Sequence, residues 1–294
     1  MNQDPAIRKA LAALGRTLGP DVLRKCQALL APEQDAIAAR VQPAASDVAY
    51  GPHPRHRLDL YAPSGANGPA PVLVFLHGGG FVRGDKRSPD DPFNAHVGRW
   101  AACNGLLGVV SNYRLAPEAT WPSGGEDVGM VVDWLKRQAI EHGGDPERIV
   151  LMGTSAGAAH IGTYLQLRPG VREVRAALLL SGLYGVTPME RADSQYFGAD
   201  ATRYTQQASL LSVANSAVPL MVACAEFDPP RFQAEFVALL QAVHRARGCL
   251  PSVHFASGHN HYTIAMHIGT RDVRLADEVL AFVRENCATG EHHD

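Results

Sequence analysis

Gly153-Thr154-Ser155-Ala156-Gly157 sets a serine between small residues, where an apolar run, Arg148 to Met152, gives way to a helical pattern from Ala156. A serine hydroxyl on such a strand-to-helix turn is suited to nucleophilic attack, because the first amides of the helix lie beside its oxygen and carry partial positive charge. The flanking glycines have a steric reason: a side chain at either would crowd the neighbouring strand and helix. GxSxG alone is a weak signal in a chain with 28 glycines, so its context carries the argument.

A second motif supplies what acyl transfer would need next. His77-Gly78-Gly79-Gly80 follows directly on the apolar run Val72 to Leu76, and three glycines let the backbone pass close to a substrate. Fixed N–H groups aimed at a developing oxyanion need not reorganise as charge forms, and Gly79, Gly80 and Ala156 are the expected donors. The motif lacks the Lys-Ser/Thr ending of a phosphate-binding loop and the spacing of a dinucleotide site.

An activated serine also needs a base and an orienting acid, which this kind of turn places downstream at the ends of later strands. The run Leu220 to Ala225 ends in Glu226-Phe227-Asp228-Pro229-Pro230, and Val253 to Phe255 leads to Gly258-His259-Asn260-His261-Tyr262. Asp228, just beyond its strand and fixed by the Pro-Pro turn, is the expected acid, with Glu226 the alternative. His259 and His261 are not separated by spacing. Two histidines at i and i+2 also raise a metal, but no third ligand stands at a recognisable spacing, so no metal and no cofactor are expected. His254 reads as a packed or edge residue, His77 as an orienter of the glycine loop, and His160 as a packing or supporting residue.

These residues need a scaffold. Residues 5 to 42 read as helical, broken at Gly19-Pro20, and form an N-terminal extension over 1–45. Arg57 to Tyr61 alternates like a half-buried strand. After Val72 to Leu76, apolar runs at Leu106 to Val110, Ile149 to Met152, Ala176 to Leu180, Leu220 to Ala225 and Val253 to Phe255 take turns with helical patterns at Glu126 to Glu141, from Ala156, at Phe232 to Arg247 and at Arg271 to Glu285. Such alternation predicts an α/β fold over 46–294, with a sheet that starts antiparallel, turns parallel and carries helices on both faces. The stretch 184–216 is too long for a simple connection and is expected, with the N-terminal helices, to form a lid over the carboxyl ends of the strands.

Composition narrows the class. In 294 residues the hydrophobic share is 46% and the formal net charge −2, which favours a neutral or apolar small molecule over nucleic acid. No run is long enough for a membrane span and the start lacks a signal-peptide pattern. Five scattered cysteines without a CxxC predict reduced thiols in the cytoplasm. The strand Val253 to Phe255 is a possible sheet edge, so a homodimer is one expectation.

Taken together, His77 to Gly80, Asn112-Tyr113-Arg114-Leu115-Ala116-Pro117-Glu118 and Gly153 to Gly157 resemble the hormone-sensitive-lipase-like esterase branch of the α/β-hydrolases, close to bacterial carboxylesterases, feruloyl-esterase-like proteins and kynurenine formamidases. The resemblance implies the α/β-hydrolase fold and serine-dependent hydrolysis of small carboxylic esters. It also implies an oxyanion hole from the second and third glycines of HGGG and the residue after the nucleophile. Relatives with a histidine followed by an aromatic residue favour His261-Tyr262, which makes Ser155, Asp228 and His261 the expected triad. Phe81, Trp121, Tyr184 and Tyr196 are the aromatics expected to line the substrate site. The rivals are an amidase such as a kynurenine formamidase and a non-catalytic ligand-binding protein on the same fold.

Overall fold

The computed structural model describes residues 3–288. In chain order the elements are α1 (Pro5–Leu14), α2 (Pro20–Ala38), β1 (Ala45–Ala49), β2 (Arg57–Tyr61), β3 (Ala70–Leu76), α3 (Ala95–Cys103), β4 (Leu107–Ser111), α4 (Ser123–Gln138), β5 (Gly144–Thr154), α5 (Ala156–Leu167) and β6 (Ala176–Leu180). There follow α6 (Arg191–Phe197), α7 (Ala201–Gln207), α8 (Leu210–Asn215), β7 (Leu220–Phe227), α9 (Pro230–Arg247), β8 (Ser252–Asn260), α10 (Thr263–Met266) and α11 (Arg274–Asn286).

The eight strands form one sheet in the order β1-β2-β4-β3-β5-β6-β7-β8. β1 with β2 and β2 with β4 are antiparallel, and every later pair is parallel. The fold is therefore the mostly parallel α/β-hydrolase sheet expected from the alternation of patterns. Strand parity explains its two cores. Val72, Val74 and Leu76 of β3 face a layer that includes Val131 of α4, Ile161 of α5 and Leu239 of α9. Leu73 and Phe75 face the opposite layer, built from residues such as Val97 of α3 and Val279 of α11. Both faces of β3 are buried, which is why it reads as an unbroken apolar run. Among the described residues no helix is long and apolar enough to cross a membrane, and all five cysteines are free thiols.

β1, α3 and the three short helices α6, α7 and α8 carried no usable pattern. β1 is short and mostly exposed, and α3 fills the crossover from β3 to β4 with a buried His96 in its first turn. The helical N-terminal segment, read with a break at Gly19-Pro20, consists of α1 and α2, with the break spread over residues 15–19. Asp4 caps α1 by accepting from the Ala6 amide at 2.7 Å, Gly15 at φ 62° ends it, and Pro20 opens α2 at the position where its missing N–H costs nothing.

The turn after β5 is closely packed against backbone. A Cβ on Gly157 would stand 2.1 Å from the Leu76 carbonyl oxygen, and one on Gly153 would stand 2.5 Å from the Gly157 carbonyl carbon. These neighbours are backbone of the central strand and the helix, so they cannot swing aside. Gly157→Ala is expected to destabilise the fold by on the order of 3 kcal/mol, read as a lower urea midpoint; an unchanged midpoint would show that the strand yields.

Candidate active site

Ser155 ends β5 and caps α5, held at φ 54° and ψ −117°. This conformation is strained for a residue with a Cβ, and it lifts the side chain above the sheet. Its amide donates to the Leu180 carbonyl at 2.9 Å, which ties the turn to β6. His261 stands just past the end of β8, with Nε2 2.9 Å from Ser155 Oγ and Nδ1 2.8 Å from Asp228 Oδ1. Asp228 lies in the turn between β7 and α9, wholly buried, and His261 is 7% exposed. Three segments separated by up to 106 residues thus converge in one hydrogen-bonded line.

The second oxygen of Asp228 is equally occupied. Oδ2 accepts from Ser181 Oγ at 2.6 Å, from the Ala225 amide at 2.7 Å and from Cys224 Sγ at 3.2 Å. Burial alone would raise the carboxyl pKa, but the hydrogen bonds from His261, Ser181 and the Ala225 amide outweigh it and hold the group below the ordinary carboxylate range. Burial and the adjoining carboxylate together push the Cys224 thiol well up, so it stays a neutral donor. Ser181 itself adopts φ 46° at the end of β6. Neither Ser181 nor Cys224 was singled out from sequence, since each is one small residue at a strand end.

The alternatives to these groups lie elsewhere. Glu226 accepts from the Gly258 amide at 2.7 Å and Ser257 Oγ at 2.8 Å, and it pairs with Arg8. It clasps the β7 and β8 ends rather than touching His261. His259 is buried with Nε2 3.0 Å from Asp272 Oδ2, and its ring stacks on His267 at 3.8 Å. The third group that spacing did not reveal beside His259 therefore comes from residues 8 and 13 positions later; His261 is not part of that cluster.

The glycine loop sits against Ser155: a Cβ on Gly78 would stand 3.3 Å from Ser155 Cβ. Gly79 at φ 138° leaves no room for a side chain, because its Cβ would meet the Arg83 carbonyl oxygen at 1.9 Å. Ala156 opens α5, where the first amides have no intrahelical acceptor. His77 Nδ1 lies 2.7 Å from the Gly78 carbonyl, and burial pushes the ring's pKa down to about 4, so it is a neutral donor. Tyr113 stacks on His77 at 4.4 Å and donates to the His77 carbonyl at 2.8 Å. Asn112, from the same stretch, accepts from the Lys86 amide and donates to Asp85. The segment Asn112 to Glu118 is thus the buttress of the glycine loop, a role its composition did not show.

A cavity of about 410 Å³ opens over Ser155 and His261. Of the four aromatics expected to line it, Phe81 does, and the other three require correction. Tyr196 stacks flat behind Phe81 at 4.8 Å, with its hydroxyl accepting from the Gly124 amide. Trp121 packs on that same cluster. Tyr184 belongs to the core under the sheet. None of the three forms the wall: Tyr196 and Trp121 pack in the cluster of Phe81, whose ring at φ 69° meets the cavity, and Tyr184 lies in the core. The wall is completed by residues that sequence did not single out, including Leu18, Leu23, Leu183, Phe232 and Met266. Phe232 lies 4.0 Å from the His261 ring, centroid to centroid. His160, buried beside Phe81 and Tyr113, has its pKa pushed down to about 3 by burial and packs as a neutral ring.

Two segments close over this region. Leu18 and Leu23 bring the N-terminal helices to the cavity, and Glu190 and Asp193 bring the stretch before and within α6. The latter is moored by the buried Glu235 of α9, which accepts from the amides of Tyr184, Val186 and Thr187 at 2.9, 3.0 and 2.7 Å. The N-terminal segment is moored through Arg16, which donates to the Asp228 carbonyl at 3.0 Å, and through Tyr262 Oη, which accepts from the Gly19 amide at 2.9 Å. Cys26 meets Asn260 in the same region.

The family model described as BD-FAE matches residues 58–212. A probable isoprenylcysteine alpha-carbonyl methylesterase of Oryza sativa subsp. japonica is 38% identical over 126 residues, covering 43% of this chain and 28% of that protein. The esterase LipQ of Mycobacterium tuberculosis is 28% identical over 259 residues, covering 79% of this chain and 60% of its own length. The chain therefore spans less than two thirds of these curated relatives. Among solved structures, a hyperthermophilic esterase from Pyrobaculum calidifontis superposes with a TM-score of 0.70 at 20% identity, covering 97% of this chain and 99% of that one.

Proposed function

The chain belongs to the BD-FAE family and has the α/β-hydrolase fold, and from that premise we propose that it is a serine hydrolase of small carboxylic esters acting through an acyl-enzyme. The observation that carries this reading is the line Ser155, His261, Asp228, with contacts of 2.9 and 2.8 Å at the floor of the cavity. Ser155 Oγ attacks the ester carbonyl and passes its proton to His261 Nε2. The oxyanion is received by the amides of Ala156 and of Gly79 and Gly80. His261 returns the proton to the departing alcohol, and a water then repeats the sequence to free the acid. Asp228 stays ionised throughout, holding the Nδ1–H of His261 and offsetting the charge of the imidazolium.

The size and walls of the cavity support a small, largely apolar ester, since about 410 Å³ lies toward the lower end of the range for small-molecule sites. The N-terminal helices and the stretch 184–216 act as the lid that excludes water. Free thiols throughout support a reducing compartment, the cytoplasm. The esterase names of the relatives favour ester over amide cleavage.

A fluorophosphonate probe is expected to label the protein once, at Ser155, and a panel from p-nitrophenyl acetate to longer acyl esters is expected to show turnover that falls with chain length. Absence of labelling would remove the nucleophile, and with it this reading. A kcat/KM for N-formylkynurenine far above that for every ester would make the protein an amidase instead.

A further inference from the structure

A second cavity, of about 230 Å³, shares none of its lining residues with the first. It lies between the N-terminal helices and the segment from β8 to α11, lined by Asp4 and Glu33 on one side and by His259, His267 and Asp272 on the other. The last three are buried, at 1%, 1% and 4% exposure, and they offer one ligand atom each within 4.8 Å of one another. We propose that His259, His267 and Asp272 form a binding site for a divalent transition-metal ion, Zn²⁺ by preference, with its remaining coordination positions open to this cavity.

Two imidazoles and one carboxylate are a donor set suited to zinc. What distinguishes the cluster from an ordinary buried ion-pair network is how the second atoms of its ligands are used. His267 Nδ1 donates to the Thr263 carbonyl at 2.7 Å, so its Nε2 carries a lone pair, and among the described residues that atom has no hydrogen-bond partner. That lone pair is not sealed in the interior but open to the cavity that His267 lines, so an ion can reach it. His259 Nδ1 lies 3.2 Å from Thr263 Oγ1. Moving its ring proton from Nε2 to Nδ1 turns that contact into a donated bond and frees Nε2 for the metal, with no change in the charge of the ring. Both histidines would then have the outer hydrogen bond that metal-ligating imidazoles normally make.

Asp272 is the shared partner. Arg274 grips it with Nε on Oδ1 at 2.7 Å and Nη2 on Oδ2, and Nη2 also reaches the Ser257 carbonyl at 3.0 Å. A metal takes Oδ2, the oxygen facing His259, while Arg274 keeps Oδ1 and the carbonyl. The guanidinium of Arg274 opposes the cation, and so does Arg271, which lines the cavity and pairs with Glu33; Glu33 and Asp4 on the facing wall offset part of that charge. The rings are stacked only 16° from parallel, and a metal bonds in the plane of each imidazole, so binding requires one ring to rotate out of the stack until both Nε2 lone pairs point at one ion, with the nitrogens about 3.3 Å apart, the edge of a zinc tetrahedron with bonds of about 2.0–2.1 Å. An ion here would tie the end of β8 to the start of α11 and so brace the loop that presents His261. Its effect is on stability, and the site stands or falls independently of the proposed ester chemistry.

The test uses full-length protein stripped with EDTA and titrated with ZnCl₂ by calorimetry. One equivalent is expected to bind and raise the thermal midpoint. It should persist in His261→Ala, which excludes the catalytic imidazole, and in the double variant His292→Ala, His293→Ala, which excludes the neighbouring histidine pair near the end of the sequence. In His267→Leu the affinity should fall by more than about 100-fold. Binding that is absent in the wild type, or unchanged in His267→Leu, overturns the proposal. If that variant fails to fold, anomalous diffraction at the zinc edge from wild-type crystals decides: a peak among the three side chains supports the site, and a peak elsewhere or none removes it.

Discussion

Ser155→Ala is expected to lower turnover of a short p-nitrophenyl ester by on the order of 10⁶-fold, the scale on which loss of a triad nucleophile removes acyl transfer. KM should stay within a few-fold, because the cavity walls and the glycine loop are untouched. The variant should also fold normally, since alanine keeps the Cβ and the amide that donates to Leu180. A companion substitution separates chemistry from conformation. Ser155→Gly removes the hydroxyl as well, yet it relieves the cost of holding a Cβ at φ 54°. It should be more stable than Ser155→Ala by about 1 kcal/mol and equally inactive. Normal turnover in either variant would remove Ser155 from the reaction.

Asp228→Asn is expected to reduce kcat by about 10⁴-fold with little loss of stability. The direction follows from the crowded second oxygen. Because Ser181, Cys224 and the Ala225 amide all donate to Oδ2, the asparagine must place its oxygen there and turn its NH₂ toward His261 Nδ1. That nitrogen then becomes an acceptor, the proton moves to Nε2, and the ring presents an N–H to Ser155 where it should present a lone pair. The measurement is kcat in Asp228→Asn alongside its urea midpoint. Equal loss of both would mean that the carboxylate serves the fold more than the base, and retained activity would pass the role of acid to another group.

How much of this was legible beforehand depended on whether a residue's role was local. The buried strands announced themselves, because β3, β4, β6 and the central stretches of β5 and β7 are covered on both faces and are apolar there. The Ser155 turn was legible because glycine at 153 and 157 answers to a steric demand made by immediate neighbours. β1 was not legible, since it is largely exposed and carries no apolar periodicity. His259 and His261 could not be told apart by spacing because β8 ends at Asn260. Beyond that point alternation no longer dictates facing, and tertiary contacts alone send one ring to Ser155 and the other to Asp272. The aromatics failed for a related reason: Tyr184 and Tyr196 lie close in sequence to cavity residues, but packing behind Phe81, or in the core for Tyr184, decides which rings the cavity meets. The partners of Asp228 and Glu235 are long-range, and nothing in their local sequence marks them.

The mooring of the N-terminal helices has a bearing on how the protein is made. Arg16 and Gly19 join Asp228 and Tyr262 across 212 and 243 residues. The earliest of these partners leaves the ribosome long before the latest, and the nucleophile turn emerges between them. During synthesis the N-terminal segment must therefore wait, with Leu23 uncovered, until residue 262 is free of the exit tunnel. The cavity is thus assembled late, and Ser155, Asp228 and His261 are not brought together until then.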